Sequence, residues 1–244
     1  MKQVSIRFYA ELNDFLPPAR RAVPFTCAFH VSPPVRDLIE SLGAPHTEVD
    51  LILINGRSVD FSHLIEDGDR ISVYPVFESI DVTPVVRVRP RPLRQPRFVL
   101  DVHLGRLAAY LRMMGFDSLY CNDYEDEELA RLSGAGERIL LTRDRELLKR
   151  AVVTRGYYVR SSSPRQQLAE VLRRFDLIDA ATPFARCLAC NGLLQTVTKD
   201  AVRGLLPPRV GETHHEFLRC NACARVYWKG SHYARMLQIV EAIR

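Results

Sequence analysis

In the first eight residues Val4, Ile6 and Phe8 alternate with polar neighbours, the period-two pattern of a half-buried strand. Residues 25–31 fit as its hairpin partner. Over 35–42 the period changes: Val35, Leu38, Ile39 and Leu42 recur at intervals of three and four after Ser32-Pro33-Pro34, which predicts a helix stopped by Gly43. Two more strands are expected at 51–54, before the turn Asn55-Gly56, and at 70–76, after the turn Asp67-Gly68-Asp69. The resulting order is strand, strand, helix, strand, strand.

The second half follows another rhythm. Residues 97–101 form a short apolar run that closes on Asp101, and Leu104, Leu107, Ala108, Leu111 and Met114 then mark an amphipathic helix ended by Gly115. A strand is expected over 116–121, a helix over 126–132, and a second apolar strand over 138–142 with Asp144 just beyond it. A helix to about Arg150, a strand over 157–159 and a helix over 164–175 complete the series. Repeated β-α units predict a mostly parallel sheet with helices on both sides. Between the halves, residues 83–97 hold four prolines and five arginines. Proline fixes φ and removes donors, so the stretch reads as an extended linker, with room for an edge strand near 85–88. The domains expected are therefore 1–83, a Pro/Arg-rich linker at 84–96, an α/β domain at 97–180 and a cysteine-rich region at 181–244.

At 244 residues, 47% hydrophobic and 26% charged, the chain can build a sizeable core without staples. No apolar run approaches the ~18 residues that span a bilayer, and the alternating N-terminus lacks the apolar core of a signal peptide. A cytoplasmic protein without a membrane partner is expected. The charge is divided: residues 1–83 hold 7 Lys/Arg against 12 Asp/Glu, a net of −5, whereas residues 84–244 hold 27 against 17, a net of +10. A partner carrying phosphates would meet the second part. By itself the basic excess fits a solvated surface equally well.

Asp101 and Asp144 each follow an apolar strand, and in open parallel sheets ligands sit beyond the carboxyl ends of the strands. Sites rich in carboxylates suit Mg²⁺ or Mn²⁺, which activate water and offset phosphodiester charge. A third carboxylate would come from the acidic turn at 123–128, and spacing alone does not choose within it. Each acid has a structural alternative. Asp126 can act as a helix N-cap, with Glu127 and Glu128 at the positive end of the dipole, and Asp144 can cap the helix that begins at Arg145. Arg143 and Arg145 flank Asp144, where guanidinium groups hold phosphates through paired hydrogen bonds. Arg106 and Arg112 lie on the first helix of this half, and Arg112 is expected to be a solvated helix residue or the partner of a nearby acid.

Two CxxC pairs, Cys187 with Cys190 and Cys220 with Cys223, suit a closed tetrahedral Zn²⁺ site of structural type. The 29 residues between them exceed the commonest spacing and suggest a hairpin-rich insert, with a turn at 206–210. His214 and His215 are surplus to a four-sulfur set, and Cys27 and Cys121 are expected as buried apolar residues. After the second pair, Tyr227, Trp228, Lys229, His232 and Tyr233 join aromatics to base. They fit either stacking on RNA bases or packing of a ribbon strand, and packing is expected for Tyr227. Arg186, Arg209, Arg219, Arg225 and Lys229 suit an RNA-docking surface.

The segments ILINGRSVD and LIEDGDRISVYPVF resemble the ubiquitin-like β-grasp domains of the small sulfur carriers for thiamin and molybdopterin. Those carriers end in an activated Gly-Gly tail, whereas here residues 77–81 run on into the linker. The resemblance therefore implies a scaffold or interaction module with an unspecified protein partner. The strings FVLDVHLGRLAAYLRMMGFDSLY, DEELARLSGAGERILLTRDRELLKR and CLACNG…CNACARVYWKGSHYARM resemble the Mut-seven C-terminal RNase family over 97–236, PIN-fold ribonucleases with a zinc ribbon. The version with an N-terminal ubiquitin-like domain would cover nearly the whole chain.

This resemblance implies an α+β β-grasp domain, a PIN-like α/β domain and a C-terminal zinc ribbon. It implies acids at strand ends that hold Mg²⁺ or Mn²⁺: Asp101 matches the first-strand acid, Asp144 the acid of LLTRD, and Asp126 and Glu127 lie in the helix-start motif. Arg143, inside the matched motif, is the basic candidate for transition-state charge. The last polar position of the PIN site falls near Ser161–Ser163, where serine replaces an acid. The activity expected is metal-dependent hydrolysis of RNA phosphodiesters with RNA docked on the ribbon. The alternative is a non-catalytic RNA-binding adaptor with a β-grasp interaction module.

Overall fold

The computed structural model describes residues 1–75, 88 and 96–242. The linker expected over 84–96 and its edge strand lie outside the described residues apart from Val88 and Pro96, as do residues 77–81.

Alternation at the start of the chain produces β1 (Lys2–Phe8), whose Val4, Ile6 and Phe8 are buried. It pairs antiparallel with β2 (Phe25–Phe29), from Lys2 opposite Phe29 to Ile6 opposite Phe25. Helix α1 (Val35–Ser41) buries Val35 and Ile39, as its spacing requires. It is followed by β3 (Leu51–Ile54), β4 (Arg57–Val59) and β5 (Arg70–Tyr74). The β3–β4 hairpin turns on Asn55 and Gly56, both with positive φ (52° and 82°), as a primed two-residue turn demands. Strand β5 runs parallel to β1 and antiparallel to β3, giving the mixed, β-grasp-like order β2-β1-β5-β3-β4. Its inner face closes one core from Ile6, Phe8, Ile39, Ile52, Ile71 and Val73.

Beyond Pro96 come β6 (Phe98–Leu100), α2 (Gly105–Met113), β7 (Ser118–Leu119), α3 (Asp126–Gly136), β8 (Ile139–Thr142), α4 (Arg145–Lys149), β9 (Gly156–Tyr158) and α5 (Pro164–Arg174). Strands β6 and β7 pair in parallel, and so do β8 and β9. The region is thus α/β with parallel strands. The cysteine-rich end follows as β10 (Leu194–Val197), α6 (Lys199–Val202), α7 (Pro208–Thr213), β11 (Phe217–Cys220), β12 (Val226–Trp228) and α8 (Ser231–Glu241). Its strands form an antiparallel sheet in the order β10-β11-β12. Among the described residues no helix is long and apolar enough to cross a membrane.

The chain forms two compact units, one of Met1–Arg94 with Glu125–Tyr158, the other of Gln95–Tyr124 with Val159–Arg244. In the first unit the β-grasp sheet is tied to the segment that carries α4 and β9. The Glu48 carboxylate, 1% exposed, accepts a 2.6 Å hydrogen bond from the Tyr158 amide. His46 spans the same junction: Nε2 meets the Val153 carbonyl at 2.8 Å and Nδ1 meets Glu40 Oε1 at 2.6 Å. Arg36 donates to the Lys149 carbonyl, and the Phe15 ring stands edge-on to Tyr158 at 5.5 Å. In the buried run from His46 to Asp50 the side chains of His46 and Glu48 face protein donors and acceptors rather than water.

Glu40 sits in that junction with Arg36 at 3.4 Å as well as His46. Burial works to raise its carboxyl, but the hydrogen bond and charge of His46, with Arg36, hold it below the usual 4.5. A carboxylate depressed in the folded state stabilises above its unfolded value, and that contribution is lost as pH falls through the depressed value. Glu40→Gln should therefore lower stability by about 1–3 kcal/mol at neutral pH. The gap between the two proteins in urea unfolding should close below pH 4.5; a gap that persists at pH 3 would remove the carboxylate from the account.

In the second unit α2 packs on α5, and the Phe98 ring is edge-on to Phe116 and Phe175 at 6.4 and 5.8 Å. Gly115 ends α2 at φ +97°, and any Cβ there would strike the Thr182 carbonyl. This close approach lets Thr182 and Phe184 donate their amides to the Met114 and Met113 carbonyls, which the helix itself leaves unpaired. The cysteine-rich end is anchored to α2 in this way.

Candidate metal centre and strand-end carboxylates

Cys187 and Cys190 occupy the turn before β10, while Cys220 closes β11 and Cys223 lies in the turn to β12. The four Sγ atoms lie within 4.8 Å of one another, with Cys187–Cys223 at 3.6 Å and Cys190–Cys220 at 3.4 Å. Tetrahedral Zn²⁺ with sulfur ligands at about 2.3 Å requires edges of about 3.8 Å, so the set fits that ion. Backbone amides already point at the sulfurs: those of Ala222 and Cys223 approach Cys220 Sγ at 3.4 and 3.5 Å. Burial would raise the Cys187 thiol, yet the Tyr227 hydroxyl at 3.0 Å and the Cys190 and Ala189 amides bring it down to about 6. Cys220 is lowered against its burial by the amides of Cys223 and Ala222. Cys190 is pushed up to about 12, by burial first and then by the neighbouring thiolates. One cluster that cannot hold four negative charges unaided, with donors arranged to favour thiolate, is what a dication resolves.

Arg112 is a residue whose placement differs from the sequence expectation. It is buried, only 4% exposed, and among the described residues its hydrogen bonds go to carbonyls rather than to an acid. Its guanidinium donates to the Ser118, Leu188 and Ala189 carbonyls at 2.9, 3.1 and 2.9 Å, gripping the first cysteine turn from behind. Burial lowers its pKa, and the charges of Cys187 and Cys190 act in the opposite sense. Asn191 adds a second clamp, accepting from the Ser118 amide and donating to Asp117. His214 and His215 stand outside the four-sulfur set. Cys27 and Cys121 are half-buried rather than buried, and burial pushes the Cys27 thiol up. The expected turn at 206–210 instead opens α7, with Pro208 at its first helical position.

The acids divide between the two units. In the second, Asp101 is the first residue past β6, in extended conformation and 6% exposed. Close to it, the Tyr120 hydroxyl donates to the Val102 carbonyl at 2.9 Å; burial raises this phenol, and the charges of Cys121 and Asp101 add to the effect. Near Ser161 this chain supplies a carboxylate by another route: Glu170 of α5 accepts from the Arg160 and Ser161 amides at 2.7 and 2.9 Å. Sequence spacing hides Glu170, which occupies an ordinary polar position of an amphipathic helix.

In the first unit Asp144 is the N-cap of α4: its Oδ1 accepts from the Glu146 and Leu147 amides at 2.8 and 3.4 Å. Thr142, fully buried, accepts the Asp144 amide at 2.9 Å and fixes the bend from β8 into the helix. Capping uses one oxygen, so Oδ2 has no protein partner among the described residues. Asp126 is the first residue of α3, with Glu125 rather than Asp126 at the N-cap, and its Oδ2 lies 3.7 Å from Arg150. Glu127 is exposed beside it. Arg143 is exposed, whereas Arg145 is held over the Phe15 and Tyr158 rings at 5.1 and 5.5 Å. The helix capped by Asp144 is thereby fastened to Phe15 of the N-terminal domain's core.

A β-grasp-like sheet, parallel strands with acids at their ends and a four-cysteine cluster define a ubiquitin-like element joined to an α/β domain whose cysteine-rich tail could hold a metal ion. Compared with family models, residues 96–240 match the Mut7-C RNAse domain and residues 1–81 the Mut7-C ubiquitin domain. The chain belongs to the Mut7-C RNAse domain family. No curated protein and no solved structure matches it.

Proposed function

We propose that this protein is a metal-dependent ribonuclease of PIN type, organised as a β-grasp domain (1–83), a linker (84–96), the nuclease domain (97–180) and a zinc ribbon that docks RNA (181–244). The match of residues 96–240 to the RNAse domain carries this reading. Capping occupies only Oδ1 of Asp144 and leaves Oδ2 available to a ligand, which is compatible with this reading. Asp101, Asp144 and an acid of the Asp126–Glu127 pair would hold Mg²⁺ or Mn²⁺, hard ions suited to carboxylate oxygens. When bound, such an ion activates water and offsets charge on the phosphodiester. The residues have separate tasks. Buried Asp101 and capped Asp144 keep fixed carboxylates at strand ends, and Arg143 offers its guanidinium to phosphate oxygens. The four cysteines hold structural Zn²⁺ and leave no position open for chemistry. A cytoplasmic setting, where thiols stay reduced, suits them.

The test is cleavage of end-labelled structured and single-stranded RNAs by the full chain in Mn²⁺ or Mg²⁺, with an EDTA control and the Asp101→Asn/Asp144→Asn double variant. Metal-dependent cleavage absent from the double variant is expected. RNA retained by both proteins without cleavage would favour the adaptor reading, for which the capping role of Asp144 and the basic ribbon already speak.

A further inference from the structure

The cysteine-rich end encloses a cavity of about 570 Å³, inside the range of small-ligand sites, between β11–β12 on one side and α8 with the segment before Cys187 on the other. Phe184, Phe217, Tyr227, Trp228 and Tyr233 bring aromatic rings to its lining. Phe184 and Tyr233 form one wall, with centroids 4.6 Å apart and planes inclined by 39°, and the half-buried Trp228 faces the same space. Trp228 and Tyr233 are both half-buried, each packing a ring against the cavity while its polar edge stays within reach of solvent or a ligand. Cations border the rings. Arg186 is fixed there by the Gly115 and Asn191 carbonyls, and Lys229 pairs with Glu216 at 2.5 Å. Both members of that pair are largely exposed, so water screens it and a phosphate can displace the carboxylate. Residues 181–244 hold nine Lys/Arg against four Asp/Glu, a net of +5.

Flat aromatic faces bordered by Arg186 and Lys229 match a nucleobase and its phosphate better than an apolar protein anchor, whose seat is depleted of charge. We propose that this cavity receives one unstacked base of a single-stranded RNA, with Phe184, Trp228 and Tyr233 as the stacking surfaces and Lys229 against the adjoining phosphate. The proposal rests on the reading of the chain as an RNA enzyme and gives its substrate a point of attachment.

Trp228 is the single tryptophan of the chain, so its emission reports on this cavity alone. Zinc-loaded full-length protein would be titrated with a single-stranded RNA octamer and with an abasic octamer of the same length, without added Mg²⁺ or Mn²⁺. Saturable quenching by the first and none by the second is expected. Tyr233→Ala should weaken binding about five- to a hundredfold. Lys229→Ala, an exposed change that leaves the core alone, should weaken it and lower the slope of log affinity against log salt by about 1. Binding seen by anisotropy without quenching, or equal quenching by the abasic strand, would overturn the cavity's role. So would emission that follows protein concentration and ignores RNA, which would mark the face as a contact between copies. Cleavage without quenching would sink this site and spare the enzyme; quenching without cleavage would do the reverse.

Discussion

Stripping the metal from the four-cysteine cluster, or changing Cys220 to Ser, is expected to unfold residues 187–230 and leave the N-terminal sheet intact. The strands there are three or four residues long, and α6 and α7 have four and six. Few side chains between Cys187 and Trp228 are buried: the two cysteines Cys187 and Cys220, Asn191, Val202 and Phe217. So small an apolar core cannot offset the backbone entropy of ordering the segment. Structural zinc contributes on the order of 10–16 kcal/mol in small sites, more than a whole domain's usual stability. Metal analysis should give one zinc per chain. Limited proteolysis after chelation should cut between the two cysteine pairs, while the β-grasp fragment resists. Cleavage patterns unchanged by chelation would show that packing, with Arg112 and Asn191 as clamps, holds this end without an ion.

Asp144 offers a second sharp outcome, because the proposed function gives its second oxygen a task separate from the cap that Oδ1 makes. Asparagine caps helices as well as aspartate does, so Asp144→Asn should keep the hydrogen bonds to the Glu146 and Leu147 amides and move the melting temperature little. It removes the charge at the free oxygen, and ribonuclease activity should fall by a factor of a hundred or more, as loss of a metal-binding carboxylate implies. Asp144→Ala should lose activity to the same extent and also about 1 kcal/mol of stability. Equal melting temperatures and equal activities for wild type and Asp144→Asn would reduce the residue to a cap.

The sequence revealed the elements whose pattern is local. Alternation marked β1, three-and-four spacing marked α1 and α2, and the CxxC spacing brought four sulfurs to one point. Strand β4 escaped notice because Arg57-Ser58-Val59 is too short to show a period, with Val59 alone packed on the core, and it exists through its pairing with β3. Helix α7 was hidden by Pro207-Pro208, which signals a turn and serves equally as a helix start. Arg112 was misjudged for a different reason: two of the three carbonyls it binds lie 76 and 77 residues away, beyond any pattern in its own helix. Glu48 and His46 likewise find their partners 110 and 107 residues along the chain. Polar groups satisfied at long range leave no periodic trace, and here they join the ubiquitin-like element to the region of Asp144.

That joint limits how the chain can be divided. A fragment starting at residue 96 would strip the Tyr158 amide of the Glu48 carboxylate and the Val153 carbonyl of its imidazole, and would bare an aromatic face where Arg145 is now sandwiched. Strand edges exposed in this way invite pairing with other chains. The ubiquitin-like element is thus bonded into the segment that carries Asp144, and anyone trimming the chain at residue 96 would be cutting through a seam, not along one.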